Sequence, residues 1–282
     1  MSEYYSHFPY TINQPSYTYV LDNALHEISG LTYAKENKLF CVNDEQGYIF
    51  EYDTQQKKIS RRIKFAKKGD FEGVELVGNE CVVLRSDGKL YFVADIDNMV
   101  IESDKVKTGL GPKNNTEGLA YDSSTHSLLI ACKGMAYANL ANSDKRAIYR
   151  YSITDSLLSK EPTILIDQGE LETILNLDAY TKFSNRLLKG LAPSKGNLIF
   201  QPSGLAIHPI SKNIYVIGSV GKLLLVLSPQ GELLAVNRLK RKIFPQPEGI
   251  CFAPDGTLFI STEGKVKQGK IYRFEYKPIL ND

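Results

Sequence analysis

The chain has 282 residues, 43% of them hydrophobic, with 34 basic against 32 acidic side chains and a formal net charge of +2. This length allows one large all-β domain, because closed β folds often reach it as a single unit. The near-balanced charge gives no electrostatic reason to expect a nucleic acid or an anionic membrane surface as partner, and we expect neither. The basic run at residues 238–242 is interpreted as a solvated loop or strand end.

The start of the chain carries no basic segment followed by an apolar core, which is the pattern of a signal peptide. No stretch approaches the roughly 18 uninterrupted apolar residues of a membrane-spanning helix. These features predict a soluble domain, either cytoplasmic or from an exported protein trimmed at its N-terminus. We expect a monomer.

One short motif, a Glu or Ser followed by Gly and an apolar residue, occurs five times along the chain. The motif residues are Ser29, Glu72, Glu117, Ser203 and Glu248. The intervals between the motif glycines are 43 residues (30 to 73), 45 (73 to 118), 86 (118 to 204) and 45 (204 to 249). A period near 45 is typical of a β-propeller blade of four strands.

Strand patterns recur within each period, separated by Gly, Pro, Asn and Asp turn signals. They predict a five-bladed, all-β propeller with four-stranded blades. The predicted fifth blade lacks an outer strand, and residues 17–21, which precede the first motif, are predicted to supply it and close the ring. The predicted boundaries are an N-terminal extension over 1–16, one propeller over 17–276 and a tail over 277–282.

The 86-residue interval decides between five and six blades. A sixth motif near residue 161 would indicate six, and none is present. Apolar residues at 171, 174, 175, 177, 183, 187 and 188 have helical spacing. The sequence therefore favours five blades with a helical insertion at about 168–199 between blades three and four.

The four cysteines lie inside apolar runs and match no zinc-binding spacing, so we predict reduced core residues: Cys41, Cys81, Cys132 and Cys251. The histidines lack a spacing suited to joint metal ligation.

The repeats resemble the SdiA-regulated domain family of YjiK-like propellers. The resemblance spans roughly residues 17–276, and it is carried by the motif segments 27–32, 71–74, 203–205 and 246–250 together with 42–44 and 49–51. It implies a five-bladed propeller distantly related to NHL-repeat and strictosidine-synthase-like proteins, with calcium bound in a member of the family. The family name reflects regulation of a gene and specifies no reaction. Relatives carry acidic residues after the second strands of blades three and four, where this chain has residues 131–134 (ACKG) and 217–220 (IGSV).

In a propeller the first strand of each blade lines the central channel, so the five motif residues are predicted to surround the axis near its mouth. Three carboxylates at ~6 Å in an effective dielectric of ~20 would repel by roughly 3 kcal/mol per pair. A bound cation, shared protons or hydrogen bonds would relieve this repulsion. Calcium suits irregular sets of oxygen ligands. We predict Glu72, Glu117 and Glu248 as ligands, with further candidates at Ser29, Ser203, Glu27, Asp44, Asp87 and Glu263.

Other uses of the ring remain open at this stage. After the metal site, the next alternative is a structural latch in which each Glu accepts backbone N–H groups of the neighbouring blade, and the last is substrate binding. The favoured function is a calcium-dependent binding module with a small molecule or a protein at the channel face. The alternative is a calcium-dependent hydrolase of the lactonase, phosphotriesterase or phytase kind, with Arg85 or Lys133 near an anionic substrate. An NHL-type interaction scaffold is the third hypothesis.

Overall fold

Five antiparallel sheets arranged around one axis make up the computed structural model, which describes residues 8–94, 96, 103–136, 144–175, 199–264 and 267–278. Blades one and two consist of β2 (Ile28–Lys35), β3 (Lys38–Asn43), β4 (Tyr48–Asp53), β5 (Lys58–Lys64), β6 (Phe71–Val77), β7 (Glu80–Arg85), β8 (Lys89–Val93) and β9 (Asp104–Lys107). Blade three consists of β10 (Thr116–Asp122), β11 (Ser127–Cys132), β12 (Lys145–Ser152), β13 (Leu157–Leu158) and β14 (Ile164–Asp167).

Blades four and five complete the ring. They contain β15 (Gln201–Ile207), β16 (Ile214–Val220), β17 (Leu223–Leu227), β18 (Leu233–Arg238), β19 (Pro247–Phe252), β20 (Leu258–Thr262) and β21 (Lys270–Phe274). A short 3-10 helix spans Asn23–Leu25. The five-bladed propeller predicted from the motif spacing is confirmed.

Ring closure uses the N-terminal strand, as predicted. β1 (Tyr17–Val20) pairs antiparallel with β21, with Tyr17 opposite Arg273 and Val20 opposite Lys270. This makes β1 the outer strand of blade five and covers an edge of β21 that would otherwise present unpaired backbone groups.

The middle strands are buried on both faces because each blade packs between two neighbours. All five residues of β17 are buried, whereas the outer strand β5 alternates between exposed and less exposed positions. Five clusters of buried apolar side chains contain residues of adjacent blades or of a blade and its flanking segments. A smaller cluster lies in blade three. All four cysteines are free and buried, as predicted.

The insertion between blades three and four begins as a helix. Residues 168–175 are α-helical, and Asp167 Oδ1 accepts hydrogen bonds from the backbone N–H groups of Gly169 (2.9 Å) and Glu170 (3.2 Å), which caps the helix start. Leu171 and Leu175, four residues apart on one face, are buried in the core beside Phe200. The rest of the predicted insertion, residues 176–198, lies outside the described residues.

Among the described residues, no helix combines the length and the apolar character needed to cross a membrane. The predicted domain limits at residues 16 and 276 stay predictions.

Candidate functional site: the mouth of the central channel

A β-bulge in each inner strand places the five motif residues. In all five blades the pairing of the inner strand with the second strand shifts register at the motif. The shifts fall between Ile28 and Gly30, Phe71 and Gly73, Thr116 and Gly118, Pro202 and Gly204, and Pro247 and Ile250. Because a bulge inserts one unpaired residue and re-aims its side chain, each motif Ser or Glu leaves the regular alternation of its strand.

The motif glycines let the inner strands approach closely around the axis. A Cβ atom on Gly30 would lie 2.8 Å from Gly73 Cα, and one on Gly204 would lie 2.4 Å from the carbonyl oxygen of Glu248. The channel surrounded by these strands has a volume of about 10 Å³, close to the space that one water molecule needs. It therefore has room for a water or an ion and not for an organic substrate.

The two serines of the ring join neighbouring blades. Ser29 Oγ donates a hydrogen bond to the carbonyl of Phe71 (2.5 Å), and Ser203 Oγ donates one to the carbonyl of Pro247 (2.7 Å). Both side chains are buried, and both acceptors immediately precede the motif Glu of the next blade. The serines thus act as latches between blades, the role considered above for the glutamates.

Glu117 is held by a cation from its own blade. Lys133 Nζ lies 2.9 Å from Glu117 Oε1, and the Asn115 amide donates to the same oxygen at 3.2 Å. The Glu117 side chain is 5% exposed and that of Lys133 is 28% exposed. Burial raises the pKa of Glu117, and the ammonium group of Lys133 opposes that rise. Lys133 thus neutralises a ring carboxylate, and its predicted contact with a substrate stays a prediction.

The other two ring carboxylates retain protons more readily than ordinary glutamates. Burial, together with the charge of Glu117, raises the pKa of Glu72. Burial and the charges of Glu117 and Glu263 raise the pKa of Glu248 to about 8. Burial and the charges of neighbouring carboxylates together disfavour simultaneous ionisation of the three ring glutamates.

Further acidic side chains extend this cluster outward. Burial and the charges of Glu27 and Glu45 raise the pKa of Asp44 to about 6. Burial and the charges of Asp44 and Glu27 raise the pKa of Glu263 to about 7. Asp44 Oδ1 is buried without a hydrogen-bond partner in the described part of the chain. Glu27, Asp44 and Glu263 thus belong electrostatically to the channel mouth.

Asp87 and Arg85, two other predicted site residues, are paired with each other. Arg85 Nε and Nη2 contact the Asp87 carboxylate at 2.8 and 2.5 Å, and Lys89 Nζ contacts it at 2.7 Å. The Arg85 guanidinium holds the pKa of Asp87 well below its usual range. Both side chains are engaged in this ion pair, whereas no ion pair among the described residues involves Asp44 or Glu263.

Sequence reasoning named only Glu27 from a second set of polar residues, which lie two positions before each motif residue. This flanking set carries a side-chain oxygen in all five repeats: Glu27, Asp70, Asn115, Gln201 and Gln246. One member, Asn115, donates a hydrogen bond to the Glu of its own motif, Glu117, at 3.2 Å. Aligning the five repeats by their glycines would have revealed the pattern.

Two of the described histidines, His126 and His208, lie away from the five motif residues. His208, in the turn between β15 and β16, is buried against Tyr10, Tyr215, Phe252 and Tyr276. Burial lowers its pKa to about 4. His126 pairs with Tyr121 in the β10–β11 turn. Within the described ranges, no three His, Cys, Asp or Glu side chains converge on one metal position.

Comparison with known protein families gives a match to the model described as SdiA-regulated, over residues 9–134. Curated protein sequences give no significant match.

Solved structures of several propellers are similar to this chain in fold. Glutaminyl cyclase of Myxococcus xanthus has a TM-score of 0.60 at 12% identity, covering 94% of this chain and 97% of that one. Regucalcin of Agrobacterium tumefaciens, described as a calcium-binding protein, has a TM-score of 0.53 at 14% identity, with 93% and 97% covered. The PQQ-bound aldose sugar dehydrogenase of Streptomyces coelicolor has a TM-score of 0.54 at 11% identity, with 93% and 97% covered. At such identities the likeness establishes the fold alone.

Proposed function

We propose that this chain, which matches the SdiA-regulated family model over residues 9–134, is a binding module that takes up a cation, calcium by preference, at the mouth of its channel. The observation that carries the proposal is the ring of three carboxylates, Glu72, Glu117 and Glu248, around a space of about 10 Å³. Their mutual repulsion and burial disfavour three negative charges, and a cation would relieve this. A ligand or partner would then bind at the channel face.

The chemistry of the donors suits calcium better than a transition metal. The ring and the flanking set offer carboxylate, amide and hydroxyl oxygens, which are the ligands of a hard cation, and calcium accepts six to eight of them in irregular arrangements. The unpartnered Asp44 Oδ1 is a further oxygen at this face. When bound, the ion would supply positive charge that neutralises the ring.

The geometry of the described residues sets a condition on this uptake. Lys133 already neutralises Glu117, and among the described residues no three His, Cys, Asp or Glu side chains are placed to hold one metal ion. The ion must therefore displace the Lys133 ammonium group or share Glu117 with it. Cation binding and the Lys133–Glu117 ion pair should compete.

This proposal does not extend to catalysis. His126 and His208 belong to the turns between first and second strands, at the end of the blades opposite the motifs. His26 directly precedes Glu27, and its carbonyl oxygen accepts a hydrogen bond from Gly264 N–H at 3.0 Å, but no contact of its side chain within the described part of the chain assigns it a catalytic role. No specific observation raises the hydrolase alternative above a fold analogy.

Thermal melts of the chelator-stripped protein, with and without ~1 mM calcium or magnesium, test the proposal. One site stabilises the fold by RT ln(1 + [L]/Kd), about 2.7 kcal/mol at a hundredfold excess over Kd. We expect calcium to raise the midpoint by a few degrees, and magnesium by less. Glu117→Gln should reduce the calcium effect. Glu232→Gln, the same substitution at an exposed residue between β17 and β18, should leave it intact.

Lys133→Gln distinguishes a cation site from a structural latch. If calcium competes with the ammonium group, removing it should raise calcium affinity several-fold. An unchanged midpoint with calcium in the unmodified protein, the Lys133→Gln variant and Glu117→Gln alike would reject the cation site and leave the ring as a structural latch.

A further inference from the structure

A second site lies at the opposite end of the propeller, where β1 closes the ring between blades five and one. A cavity of about 530 Å³ opens there, lined by β1 and by the turns β2–β3, β4–β5 and β19–β20. This volume falls within the range of about 300–1,000 Å³ typical of small-ligand sites. Since these turns lie at the end of the blades away from the motifs, the cavity is separate from the channel mouth.

Aromatic rings form one wall of the cavity. Tyr17 and Tyr19 point to the same side of β1 because strand residues two apart share a face. Their ring centroids are 4.6 Å apart with an interplanar angle of 49°. Tyr19 is buried, whereas Tyr17 is 38% exposed, and Tyr33 and Phe259 line the same space. These rings offer apolar faces flanked by hydroxyl groups.

The charges around the cavity disfavour a ligand of either sign. Glu36 and Asp255 contribute negative charge, and Arg273, whose Nη1 lies 3.4 Å from Glu275 Oε1, contributes partly balanced positive charge. Lys57 Nζ, 5.0 Å from the centre of the Tyr17 ring, adds positive charge beside the aromatic wall. The ammonium group of Lys38 is already paired with Glu51 at 3.2 Å and Asp53 at 3.0 Å. An anion would meet the two carboxylates, and a cation would meet Arg273 and Lys57, so a neutral ligand is favoured.

Neutral polar groups supply the remaining lining. Asn37 and Gln55 present exposed amide side chains, and Ser16 and Thr54 present hydroxyl groups. Each amide or hydroxyl group both donates and accepts hydrogen bonds. A ligand that matches this lining has closely spaced groups that also do both, together with an apolar face that packs on a tyrosine ring.

We propose that this cavity binds a short neutral saccharide. A sugar ring has hydroxyl groups around its edge and C–H groups on its faces. The faces pack on Tyr17, and the hydroxyl groups bond to the amides of Asn37 and Gln55 and to the carboxylate of Asp255.

Titration of the full chain with maltose, cellobiose, lactose and N,N′-diacetylchitobiose, followed by saturation-transfer NMR, tests the site. Concentrations up to about 20 mM are needed, since weak sites have dissociation constants on the order of 1 mM. We expect at least one sugar to saturate, and Tyr17→Ala to weaken its binding about tenfold or more. Gln55→Ala, in an exposed turn, tests the site without altering β1.

Val20→Ala is the matched control, because Val20 is exposed on β1 but does not line the cavity. It should leave sugar binding unchanged, as should Glu117→Gln at the channel mouth. Failure of all four sugars to saturate, or equal binding by Tyr17→Ala, Gln55→Ala and Val20→Ala, would overturn the proposal. Saturation by spermidine or citrate in place of the sugars would overturn the choice of a neutral ligand.

Discussion

Lys133→Met removes the charge that neutralises a buried carboxylate at the channel mouth. Glu117 Oε1 accepts from Lys133 Nζ at 2.9 Å, and its side chain is only 5% exposed. The substitution leaves Glu117 with the Asn115 amide at 3.2 Å as its remaining partner among the described residues. The variant must therefore bury an uncompensated charge or protonate Glu117.

The magnitude follows from the burial of both partners. A hydrogen bond to a charged group contributes about 1.5–3 kcal/mol, and breaking a fully buried pair costs about 3–5 kcal/mol. Because Lys133 is 28% exposed, solvent screens part of the interaction, and we expect a loss of about 2 kcal/mol near pH 8. For a chain of this size that lowers the melting midpoint by roughly 4–8 °C.

Differential scanning calorimetry at pH 8 and pH 5 gives the pH dependence of this loss. Burial already raises the pKa of Glu117, and this pKa rises further when Lys133 is removed. Lowering the pH from 8 to 5 therefore protonates Glu117 in the variant and removes the uncompensated charge. The loss should therefore be smaller at pH 5. Lys145→Met is the matched control, because the Lys145–Asp167 pair is 3.6 Å apart with both side chains about 40% exposed; we expect about 0–1 kcal/mol there.

A double-mutant cycle with Glu117→Gln isolates the pair. The double variant should lose less stability than the two single variants together, with a coupling of about 1–2 kcal/mol. Additive effects, or a Lys133→Met loss that is the same at both pH values, would refute the reasoning that Lys133 compensates Glu117.

Three further predictions follow from the ring. Ser203→Ala removes the hydrogen bond to the Pro247 carbonyl (2.7 Å) and should cost about 1–2 kcal/mol in urea unfolding, because that carbonyl loses its partner in a buried site; a loss below the error of the method would count against the latch. Gly204→Ala places a Cβ atom 2.4 Å from a backbone oxygen and should cost about 1–3 kcal/mol, whereas Gly111→Ala, with no atom within 4 Å, should be nearly neutral; similar midpoints for both would disprove the crowding. The pKa of Glu248 is raised from 4.5 to about 8, so between these pH values the folded state holds a proton that the unfolded state has lost. The free energy of unfolding therefore falls as the pH rises from 4.5 to about 8, by up to about 1.4 kcal/mol per pH unit. Glu248→Gln should flatten this profile, and an unchanged slope would contradict the assignment.

The sequence by itself determined the architecture, because the repeat is local. Each period of about 45 residues contains its own strands, turns and Glu/Ser–Gly motif, so the number of blades, the identity of the inner strands and the missing outer strand of blade five were predictable. The helix in the insertion was predictable from the spacing of residues such as Leu171 and Leu175. The flanking set could also have been found from the sequence, by aligning the five repeats on their motif glycines.

Only the tertiary structure decided which charges and hydroxyl groups meet. The Ser203 hydroxyl bonds to Pro247, 44 positions away, because the ring places successive inner strands side by side. The pairing of Lys133 with Glu117, 16 positions away, depends on the register that places the end of β11 beside the bulge of β10, which no local pattern encodes. The proposed saccharide cavity joins Tyr17 to Asp255, near opposite ends of the chain, because β1 pairs with β21 and becomes the outer strand of blade five.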